Sequence, residues 1–586
     1  MIKYKLKENC VSANSTDPLR DYLISLGIKR KDVDSFIVAP KQEDEESPWT
    51  LLNVKKAIEL LHEGFCANKK FFLIVDCDVD GFTSASIFYR YFKLRYPDAN
   101  IEWMLHEGKE HGIELDKIPM DCDYVIVPDA GSMNLEQHNV LLDAGKTIIV
   151  LDHHEVSEFV EHDRIAVVNN QCSPMFMNKA SSGAGVTFKT LQAYEQTYPD
   201  MFVKISYFYD LVALGLISDM MEMRSLDNNI IVYKGLNNIN NEMFKALIDQ
   251  QSFKMQGEIN KVGVAFYIAP IINGVIRAGT MEEKRLLFLG FIEEPLSEYV
   301  DSVTRGNAHH ETYYRYVART AYNIKNRQDT EKKKCFKALC EKIEANNLHQ
   351  HQVIVVLASK TDKVPVPQNI TGLIAMELLK KYNKPVLVLR PKEDGDKLSY
   401  AGSGRGKPCE GFNSFLQFVR DSQYTEYGEG HHFAFGASIG AENIDKFIQE
   451  SDERLKDVDF SVNFTEVDVI FDKNTTVNKQ MLIEFAKGKN IYGNGIPEPK
   501  IAIDRIVTQD QVMVMGSDGS SLRVTVDGVP CIKFKDKDFV EQISKYNKFR
   551  FVCIGRANLN VWMGRENAQL FIDEVEIEEI KSSNLF

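Results

Sequence analysis

Three carboxylates directly follow a short apolar segment in the first part of the chain. The segment Phe71–Val75 is followed by Asp76, Asp78 and Asp80 at alternate positions. Alternate side chains of an extended chain point to the same side, so the three carboxylates could converge on one spot. Such a cluster repels itself unless divalent cations neutralise it, which makes it a candidate metal site. The plain alternative is a solvated acidic turn.

Further candidate ligands lie where later apolar segments end. They are Asp129, Asp152, His153, His154 and Asp219, which follow the segments 123–127, 147–151 and 211–218. Each alone has a simpler explanation: a turn-capping Asp, a structural His or a helix-end Asp in solvent. Together, several oxygen ligands and an imidazole suit Mn²⁺ or Mg²⁺ better than Zn²⁺ or Cu²⁺. A pair of such ions is the usual machinery for displacement at phosphorus, so the sequence predicts a two-metal phosphoesterase.

A glycine-rich stretch in the second half of the chain, which we expect to form a loop, is a candidate phosphate site. Glycines in Gly402–Gly406 would let the backbone approach an anion, and Arg405 could bind two phosphate oxygens at once. A flexible hairpin turn explains the same residues without a ligand. His431, beside His432, could equally be a packed loop histidine.

The elements that carry these residues alternate between helix and strand. From about Thr50, short apolar segments suited to buried strands are separated by segments with helical spacing of apolar residues. This alternation predicts an α/β fold with a doubly wound parallel sheet. Ligands of such sheets gather at the carboxyl ends of the strands, where the acids and histidines of this chain are found.

The pattern changes along the chain and predicts five regions. We expect an N-terminal arm (1–50), a catalytic α/β domain (51–304), a long basic connecting helix (305–347), a smaller α/β domain (348–459) and a C-terminal β-barrel (460–586). Alternation with period two and Gly and Asp turns indicate the barrel. Candidate DNA contacts there are Lys533, Lys535, Arg550, Arg556, Arg565, Tyr546, Phe549 and Trp562, although each aromatic alone is more often core.

Composition limits the class of protein. Apolar residues make up 44% of the 586 residues and charged residues 26%, as in a globular protein. The apolar runs are too short for a membrane span, no secretory signal is evident, and the ten cysteines form no C-x-x-C pair, so we expect reduced thiols in a cytoplasmic protein. The net charge of −14 lowers the expectation of a nucleic-acid ligand without excluding it, because DNA needs only a local basic track.

The motifs, in this order, resemble the DHH phosphoesterase superfamily and its RecJ-like branch of single-stranded-DNA exonucleases. The superfamily is indicated by D-x-D-x-D-G, a strand-end Asp, D-H-H and a helix-end Asp. Similarity to the RecJ-like branch extends from about residue 50 to the end of the chain. The stretches that carry it are Asn169–Gln171, Ser182–Lys189, Asp210–Asp219, Pro270–Asn273 with Arg277, Gly402–Gly406, Gly430–His431 with Gly436, and Tyr492–Pro499.

The resemblance implies a role for each motif residue. The ligands of two Mn²⁺ or Mg²⁺ ions would be Asp78, Asp80, Asp129, His153 and Asp219. Asp76 would be a further ligand or would support one in catalysis, and His154 would contact the scissile phosphate. The residues that bind substrate would be Asn273, Arg277, Ser403, Arg405 and His431.

Departures from the family pattern concern recognition of the strand end. Ile271 and Ile276 replace an Arg and a Gly of the family's P-R-L-N-A-A-G-R stretch. His106, followed by Lys109, stands near the family's basic position for the 5′ end. We therefore expect phosphate recognition to be rebuilt around His106, Lys109 or Arg277. Such divergence would suit a phage- or plasmid-borne copy.

The implied activity is metal-dependent 5′→3′ hydrolysis of single-stranded DNA to 5′-mononucleotides, in DNA repair, recombination or replication. Two alternatives stay open. A DHH phosphoesterase for oligoribonucleotides or cyclic dinucleotides usually lacks the β-rich tail, and a non-catalytic DNA-binding scaffold would lose acids that are all present here. Single-stranded DNA is the expected partner of a monomer without membrane contact, and a helicase or single-strand-binding protein is a further candidate partner.

Overall fold

The structure is a computed structural model that describes residues 3–107, 111–304, 306–359, 361–394, 397–460 and 464–580. The chain divides into two compact units. The first contains Met1–Tyr322 and Thr465–Phe586, and the second contains Asn323–Phe464. All ten cysteines are free thiols.

A five-stranded parallel sheet forms the centre of the first unit, as the alternating pattern predicts. All five strands are fully parallel to their neighbours, and the strand that precedes the acids lies second in the sheet. The order is Ile101–Leu105, Phe71–Val75, Tyr124–Pro128, Thr147–Asp152 and Ile165–Asn169. Four strands are buried along their whole length, which explains their uninterrupted apolar runs.

The strand order reverses beside Phe71–Val75. The chain first crosses to Ile101–Leu105 on one side and then returns to Tyr124–Pro128 on the other. Loops at such a switch point diverge and leave a crevice at the carboxyl ends of the strands. The acids after Val75 and after Pro128 therefore face one crevice.

Helices cover this sheet and continue after it. The first and second follow the segments predicted as helical, 51–65 and 82–94, displaced by one to three residues at their ends. The α-helices are Val54–Cys66, Val79–Arg95, Leu135–Asp143, Gly183–Thr197, Tyr209–Ser218, Leu226–Asn237, Glu242–Gln251, Lys261–Gly263, Ala269–Ala278 and Met281–Phe291. Val264–Ile268 is a π-helix that joins two of them into one continuous helix.

The continuous helix Lys261–Ala278 is long and apolar enough to cross a membrane by length and composition alone. Its mean hydropathy is 1.3, and 56% of it is buried inside the protein. The sequence shows no continuous apolar run of this length because Asn273 interrupts it. A core helix of a soluble protein passes the same test.

The N-terminal arm is anchored by buried polar contacts. Its elements are Lys3–Leu6, which is a strand, and the helices Pro18–Ser25 and Asp34–Ile37. The fully buried Lys189 donates a hydrogen bond to the carbonyl of Glu46 and pairs with Asp227 at 2.7 Å. The Tyr22 hydroxyl donates to the carbonyl of Pro497, so the arm contacts the C-terminal part of the unit as well.

The connecting helix begins later than expected. Residues up to Thr312 form an exposed hairpin, Tyr299–Thr304 with Asn307–Thr312, and the helix runs over Tyr313–Ala345. The first hairpin strand contains three β-branched residues, Val300, Val303 and Thr304, a composition that favours strand over helix.

The second unit is built on a five-stranded mixed sheet. Its strand order is Thr425–His431, Ala434–Gly440, Lys397–Arg405, Val386–Asp394 and Ile354–Leu357. The helices are Thr371–Tyr382, Phe415–Arg420 and Ile444–Arg454.

The expectation of a glycine-rich loop at Gly402–Gly406 is wrong. All but the last of these residues belong to a strand paired on both sides. A Cβ on Gly402 would lie 2.0 Å from the carbonyl oxygen of Val388, and one on Gly404 would lie 2.5 Å from the ring of Phe435. These glycines serve close strand packing and not loop flexibility.

The C-terminal part of the first unit is a seven-stranded mixed sheet with two helices, in agreement with the predicted β-rich tail. The order is Val469–Phe471, Ile501–Thr508, Lys548–Trp562, Arg565–Glu579, Val529–Lys533, Ser521–Val526 and Val512–Met515. The helices are Lys479–Lys487 and Lys537–Ile543. Phe549 is fully buried, so it is a core residue and not a stacking platform.

Candidate metal centre

The three acids after the first strand reach the crevice in different backbone conformations. Asp76 leaves the strand end, and Asp78 is the extended N-cap of the helix Val79–Arg95, where its side chain accepts a hydrogen bond from the Gly81 amide at 3.0 Å. Asp80 lies in the first helical turn. The start of a helix, and not a continuous extended chain, therefore brings the third carboxylate towards the first two.

Asp80 is oriented by the N-terminus of another helix. The amides of Gly183 and Ala184 donate to its two carboxylate oxygens at 2.6 and 3.1 Å. Burial raises the pKa of Asp80, which is only 1% exposed, and the amides at this helix N-terminus oppose that effect because they favour a negative charge. A Cβ on Gly215 would lie 2.3 Å from the same carboxylate, which explains the glycine of the Asp210–Gly215 motif.

Asp129 has the left-handed backbone conformation, with φ of 66°. Its amide donates to the carbonyl of Leu151 at 2.8 Å, which fixes this turn to the neighbouring strand. A Cβ on Gly183 would lie 2.3 Å from its Oδ1 atom. Gly183 and Gly215 therefore pack directly against candidate metal ligands. The sequence shows them only as members of longer motifs.

His153 lies at the centre of the carboxylates. Its Nε2 atom is 3.3 Å from Asp129, 3.5 Å from Asp219 and 4.0 Å from Asp80. Among the described residues, three sets of possible ligand atoms lie within 4.8 Å of one another: Asp80 with His153 and Asp219, Asp76 with Asp78 and Asp129, and Asp129 with His153 and His154. The five predicted ligands and Asp76 thus converge in the folded chain.

The electrostatics of this cluster fit divalent cations. Burial, followed by the charge of Asp80, raises the pKa of Asp129 well above its usual range and that of Asp219 to about 8. Burial and the charge of Asp78 raise the pKa of Asp76 to about 7. The Oδ1 atom of Asp129 is buried and accepts no hydrogen bond from the described part of the chain. Divalent cations bound to these oxygens would neutralise the repulsion between the carboxylates. They would also give the Oδ1 atom of Asp129 a partner.

His154 lies at the edge of the cluster, where Asp152 holds it, and one of its ring nitrogens is within 4.8 Å of ligand atoms of Asp129 and His153. Its Nδ1 atom is 2.8 Å from the Oδ1 atom of Asp152, which also accepts from the amides of His153 and His154. This hydrogen bond raises the pKa of His154 to about 9. Although burial opposes it, the same contact lowers the pKa of Asp152. The side chain of His154 is 61% exposed, so its second nitrogen can meet a ligand.

A cleft of about 550 Å³ opens over these residues, and we call it the metal cleft. Asp76, Asp78 and His154 line it together with Arg277, one of the predicted phosphate ligands. Asn273 lies one helical turn before Arg277, and its buried Oδ1 atom finds no donor among the described residues. His111, Ser132 and Asn134, which the sequence analysis did not propose as ligands, also line the cleft.

The expectation for His106 is not supported. This residue is 2% exposed, its Nδ1 atom pairs with Glu114, and it does not line the metal cleft. Burial lowers the pKa of His106, so the imidazole is neutral where a phosphate ligand would be cationic. Lys109 lies outside the described residues.

The other predicted substrate residues lie in the second unit. Ser403 and Arg405 are on the strand Lys397–Arg405, and the exposed His431 ends the strand Thr425–His431. The hydroxyls of Ser403 and Thr371 are 2.9 Å apart. The Arg405 guanidinium lies against Gly372, where a Cβ would be 2.6 Å from its Nη2 atom.

Comparisons with known proteins agree with this arrangement. The DHH family, N-terminal domain, matches residues 70–216, and the RecJ OB domain matches residues 475–574. The SPbeta prophage-derived protein YorK of Bacillus subtilis, whose name assigns it to the single-strand DNA-specific exonucleases, is 32% identical over 97% of both chains. The chain belongs to the RecJ-like DHH family.

Established RecJ proteins are more distant relatives of this RecJ-like chain. The single-stranded-DNA-specific exonuclease RecJ of Bacillus subtilis is 23% identical over 98% of this chain and 70% of its own. The crystal structure of Thermus thermophilus RecJ in complex with Mn²⁺ superposes with a TM-score of 0.69 at 18% identity, over 96% of this chain and 76% of that one. A structure of the same protein with Mg²⁺ gives 0.66. The RecJ fold is thus present along nearly the whole chain.

Proposed function

We propose that this RecJ-like protein hydrolyses single-stranded DNA from its 5′ end and releases 5′-mononucleotides. The observation that carries the proposal is the position of His153 Nε2 within 4.0 Å of the carboxylates of Asp80, Asp129 and Asp219. The names of the relatives, which specify single-stranded DNA, support the choice of substrate. Their bacterial and phage origin supports a cytoplasmic site of action in a bacterial or phage-infected cell.

Two Mn²⁺ or Mg²⁺ ions would be held by two of the three sets of ligand atoms. Asp80, His153 and Asp219 would hold one ion, and Asp78 and Asp129, with Asp76, would hold the other. When bound, such a pair activates water and stabilises the charge that develops on the phosphoryl oxygens. The carboxylates supply hard oxygen ligands, which suit these cations.

Residues around the ions would bind and orient the phosphate. His154 would donate from Nε2 to an oxygen of the scissile phosphate, because Asp152 fixes the ring through Nδ1. Arg277 would bind a neighbouring phosphate through its planar fork, with Asn273 beside it. Ser403, Arg405 and His431 of the second unit would complete recognition of the strand.

The C-terminal sheet offers fewer free cations than its sequence suggests. Arg550 pairs with Asp504 at 2.6 Å, Arg556 pairs with Asp573 at 3.0 Å, and Lys533 donates to the carbonyl of Asp573. These contacts reduce the charge available for phosphates. The OB domain would therefore contribute strand affinity by contacts other than a simple basic track.

Two other functions use the same fold. A phosphoesterase for oligoribonucleotides or cyclic dinucleotides would need no OB domain, whereas residues 475–574 match one. A non-catalytic scaffold would not need the complete set of metal ligands. Burial of these carboxylates close together destabilises the metal-free protein, which a scaffold would have no reason to retain. A helicase or single-strand-binding protein is a proposed partner of a monomeric enzyme.

End-labelled substrates test the proposal. Single-stranded DNA, duplex DNA and RNA are digested in Mn²⁺ and in Mg²⁺, with strands blocked by a bulky group at either end. We expect mononucleotides from single-stranded DNA and protection by the 5′ block. Protection by the 3′ block alone would reverse the polarity, and cleavage of circular strands would remove the exonuclease assignment.

A further inference from the structure

The residues Asn169–Gln171 run beside the two motif histidines. Asn169 ends the strand Ile165–Asn169 and pairs in register with Asp152, which ends the neighbouring parallel strand. We call Asp152–His154 the D-H-H segment. Because parallel strands share the edge at which they end, the residues after Asn169 reach the same edge as the D-H-H segment and the metal centre.

Two side-chain amides bind the backbone carbonyls of the two histidines. Asn169 Nδ2 donates to the carbonyl of His154 at 3.0 Å, and Gln171 Nε2 donates to the carbonyl of His153 at 3.1 Å. The backbone amides of His153 and His154 donate to Asp152 Oδ1 at 2.7 and 3.1 Å. All four backbone polar groups of the two histidines are therefore held by side chains.

The peptide unit between His153 and His154 is held at both of its polar atoms. Gln171 binds its carbonyl oxygen, and Asp152 binds its N–H group. A peptide unit is planar, so two fixed atoms on opposite sides fix the orientation of the whole plane. Rotation of this plane would move both imidazole rings at once.

Asn169 connects these contacts into one network. It is fully buried, its Nδ2 atom also donates to the hydroxyl of Ser132 at 2.9 Å, and its Oδ1 atom accepts from the amide of Gln171 at 2.7 Å. The amide of Ser132 donates to Oδ2 of Asp152 at 3.0 Å. Asp152, which orients the ring of His154, is thus held through its second oxygen as well.

We propose that Gln171 and Asn169 are positioning residues, Gln171 for His153 at the ion and Asn169 for His154 at the scissile phosphate. Neither amide lines the metal cleft, so both act through the histidines. The inference rests on the proposed exonuclease function, in which the two histidines have these roles. It gives the Asn169–Gln171 motif a task that the set of metal ligands does not include.

Binding of Mn²⁺ tests Gln171 without any hydrolysis. Gln171 is half-buried, and Gln171→Met keeps the length of the side chain while it removes the donor. Gln417→Met is the matched control, because Gln417 donates to Asp421 at 2.7 Å in the second unit. Loss of one hydrogen bond should weaken binding of Mn²⁺ about two- to ten-fold in calorimetry, and the control should bind as the wild type does.

The kinetics of Gln171→Met separate positioning from a general defect. At saturating Mn²⁺ its KM for a single-stranded oligonucleotide should stay the same, because the phosphate contacts of Arg277 and His154 remain. A raised KM together with normal Mn²⁺ affinity would assign Gln171 to substrate binding and overturn its role at His153.

A double-mutant cycle tests Asn169. At saturating Mn²⁺, Asn169→Ala should lower kcat about ten- to hundred-fold, because a small misplacement of a group that contacts the reacting phosphate has this effect. In the His154→Ala background it should cause no further loss, since the contact that it positions is already absent. An equal loss in both backgrounds would overturn the role of Asn169. If circular dichroism shows that Asn169→Ala is unfolded, Gln171→Met alone decides the proposal.

The Mn²⁺ measurement also distinguishes this inference from the proposed function. Normal Mn²⁺ affinity in Gln171→Met would overturn the inference while the exonuclease proposal stands. Weaker Mn²⁺ binding by Gln171→Met, in a protein whose wild type degrades no strand, would support the positioning of His153 and refute the exonuclease.

Discussion

Asn494 donates a side-chain hydrogen bond to the backbone carbonyl of Met220, the residue directly after Asp219. The amide of Met223 in turn donates to the carbonyl of Asn494 at 2.9 Å. Met220 has a left-handed φ of 55°, which is unfavourable for a residue with a side chain and must be held by its surroundings. A loop within the OB domain therefore fixes the turn that carries a candidate metal ligand.

We expect Asn494→Ala to weaken binding of Mn²⁺ at the centre. Loss of one hydrogen bond costs about 0.5–1.5 kcal/mol, so the Mn²⁺ concentration for half-maximal activity should rise about two- to ten-fold. KM for a short oligonucleotide should stay the same. Asn567→Ala, at an exposed position of the C-terminal sheet, is the control. An unchanged Mn²⁺ dependence would show that Asn494 does not position Asp219.

Removal of residues 465–586 should affect more than capture of long strands. The cut deletes Asn494 along with the OB domain, so we expect both a higher KM on a long strand and a higher Mn²⁺ requirement on a short one. A cut at Phe460 is less informative, because Phe460 is buried in the core of the second unit. Circular dichroism must show that the shortened protein is folded. A folded truncation with normal Mn²⁺ dependence would contradict the inference that Asn494 positions Asp219.

Asp80→Asn should abolish hydrolysis at saturating Mn²⁺ while the fold persists. The substitution keeps the shape of the side chain but removes the charge that would bind the ion, and it relieves repulsion with Asp129 in the metal-free protein. The melting temperature in EDTA should stay close to that of the wild type, because the relief of repulsion is offset by the loss of one of the two amide hydrogen bonds to this side chain. Near-normal cleavage by Asp80→Asn would refute the two-metal assignment.

Arg277→Ala should raise KM on single-stranded DNA, and Arg277→Lys should recover only part of the loss. The planar guanidinium can bind two phosphate oxygens, which an ammonium cannot do in the same way. Hydrogen bonds to charged groups contribute about 1.5–3 kcal/mol, so a ten- to hundred-fold rise is expected. Arg30→Ala, at an exposed position of the N-terminal arm, should have no effect. Full recovery by lysine would argue against the bidentate contact.

The buried Lys261 should make stability depend on pH in the alkaline range. Burial lowers the pKa of its ammonium from 10.5 to about 8. Between these values the unfolded chain binds more protons than the folded chain, so the free energy of unfolding should rise with pH, by on the order of 3 kcal/mol in total. Denaturant unfolding from pH 7 to 10.5 measures this rise, which should be absent in Lys261→Met and retained in Lys31→Met.

The sequence predicted the parallel sheet and the convergence of its acids, because buried parallel strands leave uninterrupted apolar runs and their carboxyl ends share one edge. It did not predict that Asp80 would be held by the amides of Gly183 and Ala184, since these residues are about a hundred positions away. The prediction of a loop at Gly402–Gly406 was also wrong. Glycine indicates either a turn or a close approach of two strands, and only the pairing partners decide which.

The prediction that His106 recognises phosphate was wrong for a related reason. Its position after the strand Ile101–Leu105 was correct, but burial against Glu114 depends on a loop that returns eight residues later. His111 in that same loop lines the metal cleft instead. The sequence shows that histidines lie near the site. It does not show whether His106 or His111 lines the metal cleft.

Gly183 and Gly215 also limit the amino-acid substitutions that the metal centre tolerates. A methyl group on either would lie 2.3 Å from a carboxylate of Asp129 or Asp80, so alanine there would displace the carboxylate or the helix. Both positions are buried within helices, and loss of function through them would resemble a simple packing defect. Variants found at these glycines in a genetic screen should therefore be tested for rescue by excess Mn²⁺ before they are classed as unstable.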